Sequence, residues 1–235
     1  MALYKRVLIK ISGEALAGEK HTGFDFDFVS RVCGAVQKVV EGGVQVGVVI
    51  GGGNFWRGVK DGAGKVERVS ADRMGMLATA MNCLAVCDVF KQIGAKARVM
   101  TAVDIQGVGE RYDTRRAIEY LEQGKVVLFA CGTGSPFFST DTAAVLRALE
   151  IGADAILLAK NIDGVYDDDP RKNPDAKKFD AISYDEVLAR HLAVMDTTAT
   201  SLAMDNRIPV EVFALAEPDN ILRVLRGEKI GTSVS

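Results

Sequence analysis

Short apolar runs rich in β-branched residues alternate along the chain with longer stretches whose apolar positions recur every three to four residues. The runs KRVLIKI (5–11), VQVGVVI (44–50), KARVMT (96–101), KVVLFA (125–130), DAILLA (154–159) and VEVFA (210–214) predict strands. Several are almost continuously apolar, the pattern of parallel strands covered on both faces. Helices are predicted at 25–41, 71–93, 113–123, 141–151, 183–191, 197–206 and 218–226. Gly42-Gly43, Gly94, Gly124 and Gly152 follow four of these at the C′ position, and Ser183-Tyr184-Asp185-Glu186 opens another as a capping box. Strand and helix alternate throughout, with no interdomain linker and no internal repeat. The fold class expected is α/β, an open and mainly parallel sheet with helices on both faces. The segment 160–180, rich in Asp, Lys, Pro and Gly, reads as a surface excursion.

Composition narrows the function. The chain has 235 residues, 48% hydrophobic and 26% charged, with a net charge of −2 and no block of like charges. A generic nucleic-acid surface or a membrane-surface role gains no support from that balance. The opening MALYKRVLIKISG is too short in its apolar run for a signal peptide, and no later stretch reads as long enough to span a bilayer. Cys33, Cys83, Cys87 and Cys131 lie among apolar residues without a His or a second Cys pair, so they read as buried reduced thiols rather than a metal site. A cytoplasmic address fits.

Ligands of such sheets bind at the carboxyl ends of the strands. After the first strand comes KISGEALAGEK (10–20), which lacks the Lys-Ser/Thr ending of a phosphate-binding P-loop. What remains is Lys10 beside Ser12 and Gly13: a cation next to exposed amides, or an edge-strand lysine facing solvent. After the second strand comes Gly51-Gly52-Gly53-Asn54, with Arg57 just beyond. Successive glycine amides can form an anion nest, and Arg57 can grip a phosphate by two bonds; the plainer reading is a turn where backbone meets backbone. The stretch from Cys131 to Asp141, CGTGSPFFSTD, combines glycines, hydroxyls and a helix N-terminus, again suited to an anion. There Phe137 and Phe138 read either as flanking a base or as core, and Asp141 either as a first-turn acid or as a catalytic one. Asp196 reads as an N-cap, and Asp167-Asp168-Asp169 as a solvated loop or more. Together the three glycine-bearing loops point to phosphoryl transfer or to a phosphorylated ligand.

The stretches KISGEAL (10–16), VVIGGGN (48–54), DRMGMLAT (72–79), GTGSPFFSTD (132–141), DGVY (163–166) and VMDT (195–198) resemble those of the bacterial UMP kinases, a branch of the amino-acid kinase superfamily. The likeness runs from about residue 5 to the end. It implies one domain over 1–235 with a three-layer αβα sandwich, UMP over the N-terminal half and ATP over the C-terminal half. By position it implies ATP contacts at Lys10, Ile11, Ser12, Gly13, Gly53, Arg57, Asn161, Tyr166 and Asp169. It places UMP against Gly52, Asp72 and the run Thr133, Gly134, Ser135, Pro136, Phe137, Phe138, Ser139 and Thr140. Lys10, Arg57, Asp141 and Asp196 would carry catalysis, with the two acids organising Lys10 and the Mg²⁺ that accompanies ATP. Of Lys160 and Asn161, the reading takes Asn161 as the ATP contact.

The activity so implied is ATP-dependent phosphorylation of UMP to UDP in pyrimidine nucleotide biosynthesis. A phosphomonoester has a second pKa of about 6, so the acceptor needs no strong general base. Positioning and electrostatic stabilisation then supply most of the rate. The alternatives are a relative that phosphorylates a carboxylate or carbamate, and a non-catalytic oligomer that senses UTP. The resemblance also implies a homohexamer inhibited by UTP, and the helix at 71–93, apolar on more than one face, suits either subunit contact or its own core. GTP effects vary across the family: Arg98 and Lys125 suit a GTP site, whereas Cys87 and Thr114 replace the Arg and aromatic of GTP-activated relatives.

Overall fold

Continuous apolar runs pair side by side because neither of their faces tolerates water. In the computed structural model, which describes residues 2–57 and 64–235, all six predicted strands form: β1 (Arg6–Ile11), β2 (Gln45–Ile50), β3 (Ala97–Thr101), β5 (Val126–Ala130), β6 (Ala155–Lys160) and β8 (Val210–Ala214). Three short strands were not foreseen: β4 (Glu110–Arg111), β7 (Ala181–Ile182) and β9 (Thr232–Val234). The nine make one sheet in the order β4-β3-β5-β2-β1-β6-β8-β9-β7, so β1 is central. Every pairing is parallel except β8 with β9.

Alternation along the strands sorts side chains into two layers. Val7, Ile9 and Ile11, with Val46, Val48 and Ile50, face helices α2 (Phe26–Glu41), α3 (Arg68–Gln92) and α8 (Asn220–Leu225). Leu8, Val49, Val127 and Phe129 face α4 (Thr114–Glu122), α5 (Thr140–Glu150), α6 (Tyr184–Ala189) and α7 (Thr197–Asp205). This is the three-layer αβα sandwich expected. A short helix, α1 (Gly13–Ala17), and a 3₁₀ turn at Gly18–Lys20 occupy what read as loop. Asp25, Asp113, Ser139, Ser183 and Asp196 each cap a helix with the side chain. Of the Gly42-Gly43 pair, Gly43 takes the left-handed conformation (φ 86°) while Gly42 stays at −73°.

The expectation about bilayer-length stretches needs correction. Helix α3 is by length and composition apolar enough to cross a membrane, yet half of that stretch is buried inside the protein, as in a core helix. The four cysteines are buried and free, and burial pushes each thiol above its ordinary pKa.

Candidate active site

The strand period places Lys10. Leu8 packs into the layer of α5 and α7, so Lys10, two residues on, projects to that same face at the carboxyl end of the central strand. The edge-strand reading is thereby overturned: the Lys10 side chain is only 12% exposed, and its Nζ lies 2.6 Å from Asp141 Oδ1. Asp141 sits in the first turn of α5, where it meets the positive end of the helix as a first-turn acid and also pairs with the lysine. The ammonium approaches without hydrogen-bond alignment, and Asp141 Oδ1 is buried with no hydrogen-bond partner.

Two helix N-termini converge beside this pair. Ser139 Oγ accepts from the amides of Asp141 and Thr142, 2.9 and 3.1 Å away, and donates in turn to Asp196 Oδ2. Asp196 caps α7 through Ala199 N at 3.0 Å and accepts from Thr142 Oγ1 at 3.3 Å. Lys160, at the end of β6, donates to the carbonyls of Ala193 and Val194 just ahead of Asp196. Burial pulls the Lys160 ammonium below the ordinary lysine range; Asp141 nearby pushes it back up, and Lys10 adds to the depression. Lys160, passed over in favour of Asn161, is thus the residue that shares a field with Lys10 and Asp141.

These donors suit a magnesium ion carried by a nucleotide. Among the described residues no three His, Cys, Asp or Glu side chains gather as a metal cluster. The Asp196 carboxylate is already saturated by its own neighbours, while Asp141 keeps one unsatisfied oxygen. Mg²⁺ commonly takes only one or two protein carboxylates, with phosphates and water completing its shell.

The glycine loop after β2 is shaped by close approach. A Cβ on Gly52 would lie 2.9 Å from Ala78 Cβ and 3.0 Å from Gly75 O on α3, and one on Gly13 would lie 2.3 Å from Gly51 O. Backbone does meet backbone here. Gly51 N donates to Ile11 O at 2.9 Å, whereas the amides of Gly52 and Gly53 donate to no carbonyl among the described residues. The turn reading thus holds at Gly51, while the amides of Gly52 and Gly53 are the ones that an anion could take up. A buried pair of amides fastens it to α3: Asn54 and Asn82 exchange hydrogen bonds at 2.9 and 2.8 Å, and Asn82 also donates to Gly51 O at 2.7 Å. Asn82→Ala leaves Asn54 Oδ1 and Gly51 O without the donor that now satisfies them, while Asn54 Nδ2 keeps Gly23 O. It should cost about 2 kcal/mol and lower the thermal midpoint by about 4–8 °C in a melting experiment.

Two cavities flank this loop. One, of about 160 Å³, is lined by Gly52, Asp72, Thr133, Ser135, Phe138, Ser139 and Thr140, all named as site residues in the sequence, and also by Trp56 and by Gly75, Met76 and Thr79 of the DRMGMLAT stretch, which were not named as such. Of the same predicted set, Gly134, Pro136 and Phe137 are not among its lining residues. The loop beneath is held in an unusual conformation, with Cys131 at φ 66° and Phe137 at φ 72°. The Phe137 amide donates to Asp72 Oδ2 at 2.7 Å, and Arg68 grips the same carboxylate at 2.8 and 2.9 Å. Phe137 and Phe138 are 65% and 51% exposed, which removes the core reading of that pair.

The second cavity, of about 390 Å³, is lined by Glu14, Arg57, Asn161, His21, Phe28 and Leu215 among others. Arg57 pairs with Glu14 at 2.9 Å. Ile11 is buried at the strand end and Ser12 stands at the N-cap position of α1. Tyr166 and Asp169 do not line this cavity: Tyr166 donates to Asp163 at 2.8 Å, and Asp169 binds Arg171, both within the 160–180 excursion.

Comparison with known proteins agrees with this geometry. Residues 5–214 match the model of the amino acid kinase family. The chain is 54% identical over 233 residues to a uridylate kinase of Streptococcus thermophilus, covering 99% of this chain and 95% of that one. The crystal structure of UMP kinase from Bacillus anthracis superposes with a TM-score of 0.95 at 38% identity, covering 99% of this chain and 96% of the other. That of UMP kinase from Ureaplasma parvum gives 0.93 at 34% identity, with 98% of each chain covered. With the sheet order, the paired Lys10 and Asp141 and the matches all in accord, the chain belongs to the amino acid kinase family.

Proposed function

We propose that this protein transfers the γ-phosphoryl group of ATP to UMP, giving ADP and UDP. The observation that carries the reading is one loop serving two cavities: Gly52 lines the smaller and Arg57 the larger, with Lys10 and Asp141 at the adjacent strand end. UMP is assigned to the smaller cavity, against Gly52, Asp72 and the 133–140 loop. ATP is assigned to the larger, with its phosphates toward Lys10, Ser12, Gly13 and Gly53, and with Asn161, Tyr166 and Asp169 toward its nucleoside. An oxygen of the UMP phosphate attacks the γ-phosphorus, the bond to the β-phosphate oxygen breaks, and ADP leaves with that electron pair. Lys10 offsets charge on the transferring group and Arg57 steadies the phosphates. Asp141 holds Lys10 in place, and Asp196 holds the mouth of α5 through Ser139. Mg²⁺ bound with ATP at Asp141 would neutralise charge shared by the β- and γ-phosphates.

A coupled ADP-release assay with Mg-ATP tests the reading, with CMP, dUMP and acetylglutamate as competing acceptors. Turnover with UMP is the expected result, and phosphorylation of acetylglutamate but not UMP would overturn it. Asp72→Asn should raise KM for UMP about tenfold, close to 1.4 kcal/mol of lost binding, with KM for ATP nearly unchanged.

The full chain is proposed as one cytoplasmic domain that assembles into a homohexamer. In support, Met74, Leu77, Met81 and Leu84 form an exposed apolar row on α3 at helical spacing. UTP, which shares the uridine of the acceptor, is the expected inhibitor. A GTP effect would fall on the cavity of about 650 Å³ that Cys87, Lys91 and Arg98 line.

A further inference from the structure

The chain contains a single tryptophan, Trp56, and it stands in the glycine loop between the two cavities. Its indole N–H donates to Ala71 O at 2.8 Å, in the first turn of α3. Its Cδ1 would lie 3.8 Å from a Cβ on Gly75, so the ring packs beside the helix at that glycine. The ring also lines the smaller cavity with Asp72, Met76 and Phe138.

Its neighbour in sequence turns the other way. Arg57 lines the larger cavity, where it pairs with Glu14, and its Nε lies 3.3 Å from Gly53 O. The amides of Phe55 and Trp56 both donate to Gly52 O at 3.0 Å, so the turn that presents these side chains closes on the glycine of the smaller cavity. Two adjacent side chains on one tight turn therefore face two different ligand spaces.

We propose that Trp56 is a positioning residue of the acceptor site. Its indole is the wall against which the acceptor nucleoside monophosphate is seated, and its tie to Ala71 O keeps Arg57 turned toward the donor. The proposal rests on the assignment of UMP to the smaller cavity. An aromatic face suits a nucleoside, because every base offers a π-face for stacking. The hydrogen bond to Ala71 fixes that face, and the turn passes its position on to residue 57.

Because Trp56 is the only tryptophan, the intact protein carries its own reporter. Titrating UMP without ATP should give a saturable change in tryptophan emission, with a midpoint near the KM for UMP in the ADP-release assay. Trp56→Ala should raise KM for UMP about tenfold or more, the scale of a lost stacking face, and lower kcat, because Arg57 loses the orientation that the indole tie gives it. Trp56→Phe keeps a ring but loses the N–H. It should bring KM for UMP back to within about threefold of the parent while kcat stays depressed, a split that loss of folding stability does not produce. Emission indifferent to UMP at concentrations that saturate turnover would overturn the proposal, as would Trp56→Phe with unchanged kcat and KM. A response to ATP alone, with Asp72→Asn leaving KM for UMP unchanged, would instead overturn the assignment of the cavity beneath it.

Discussion

Lys10→Ala is expected to slow UMP phosphorylation by about 30- to 1,000-fold, or ~2–4 kcal/mol in the barrier, the usual cost of removing one preorganised donor. The lysine is 12% exposed, so its charge acts in a medium that screens it far less than water does. It also approaches a buried carboxylate oxygen, Asp141 Oδ1, that has no hydrogen-bond partner among the described residues. The loss should fall mainly on kcat, because charge shifts onto the oxygen that leaves with ADP only as the bond to the γ-phosphorus breaks. Lys10→Arg should restore little, since a planar fork does not replace a compact ammonium 2.6 Å from Asp141. Steady-state kinetics on variants shown to be folded by circular dichroism measure this directly. Normal turnover by Lys10→Ala would remove the lysine from the transfer site.

Much of this arrangement can be read from the chain alone, and the physical reason is period. Strands such as VQVGVVI are buried on both faces and declare themselves by continuous apolar character. Edge strands of two or three residues, such as Glu110–Arg111, carry no period; their neighbours make them strands. Helix α1 is too short for any apolar recurrence, and its opening glycine reads as loop. In the site, Lys10, Arg57 and Asp141 stand out by residue type and by their place at or just after strand ends, and Asp196 by its place at a helix start. Which of them touch is a matter of topology: Lys10 meets Asp141 because β1 is central and α5 crosses the face on which Leu8 and Lys10 emerge. The tie between Ser139 and Asp196 spans 57 residues and has no local signature. Trp56 carries no local signature for the same reason, since its partner Ala71 belongs to a helix that passes the loop only in three dimensions. Asn82 did leave a trace, as a polar residue among apolar helix positions, and it proves to be fully buried against Asn54.

Gly13→Ala is expected to be the most damaging single-methyl change in the site. Gly13 does not adopt a left-handed conformation, so the argument concerns space. The added Cβ would lie 2.3 Å from Gly51 O and 2.7 Å from Asn54 Oδ1. The first of these is backbone and the second belongs to a side chain fixed by two hydrogen bonds, so neither can swing aside. Relief requires the start of α1 and the glycine loop to part, which strains the bond from Gly51 N to Ile11 O and the Asn54–Asn82 pair together. Overpacking of this kind usually costs 1–3 kcal/mol, and a backbone clash at this distance should exceed about 3 kcal/mol. Any folded fraction should also turn over slowly, because the same parting moves Lys10 on one side away from Arg57 on the other. Gly34→Ala is the matched control: it lies inside α2, where an added Cβ meets nothing within 4 Å. That change should stabilise the protein by about 0.5–1 kcal/mol and leave kcat unaltered. Denaturant unfolding of the two variants beside the parent decides the matter: if Gly13→Ala unfolds within error of Gly34→Ala, the loop is not wedged against α1 as the geometry requires.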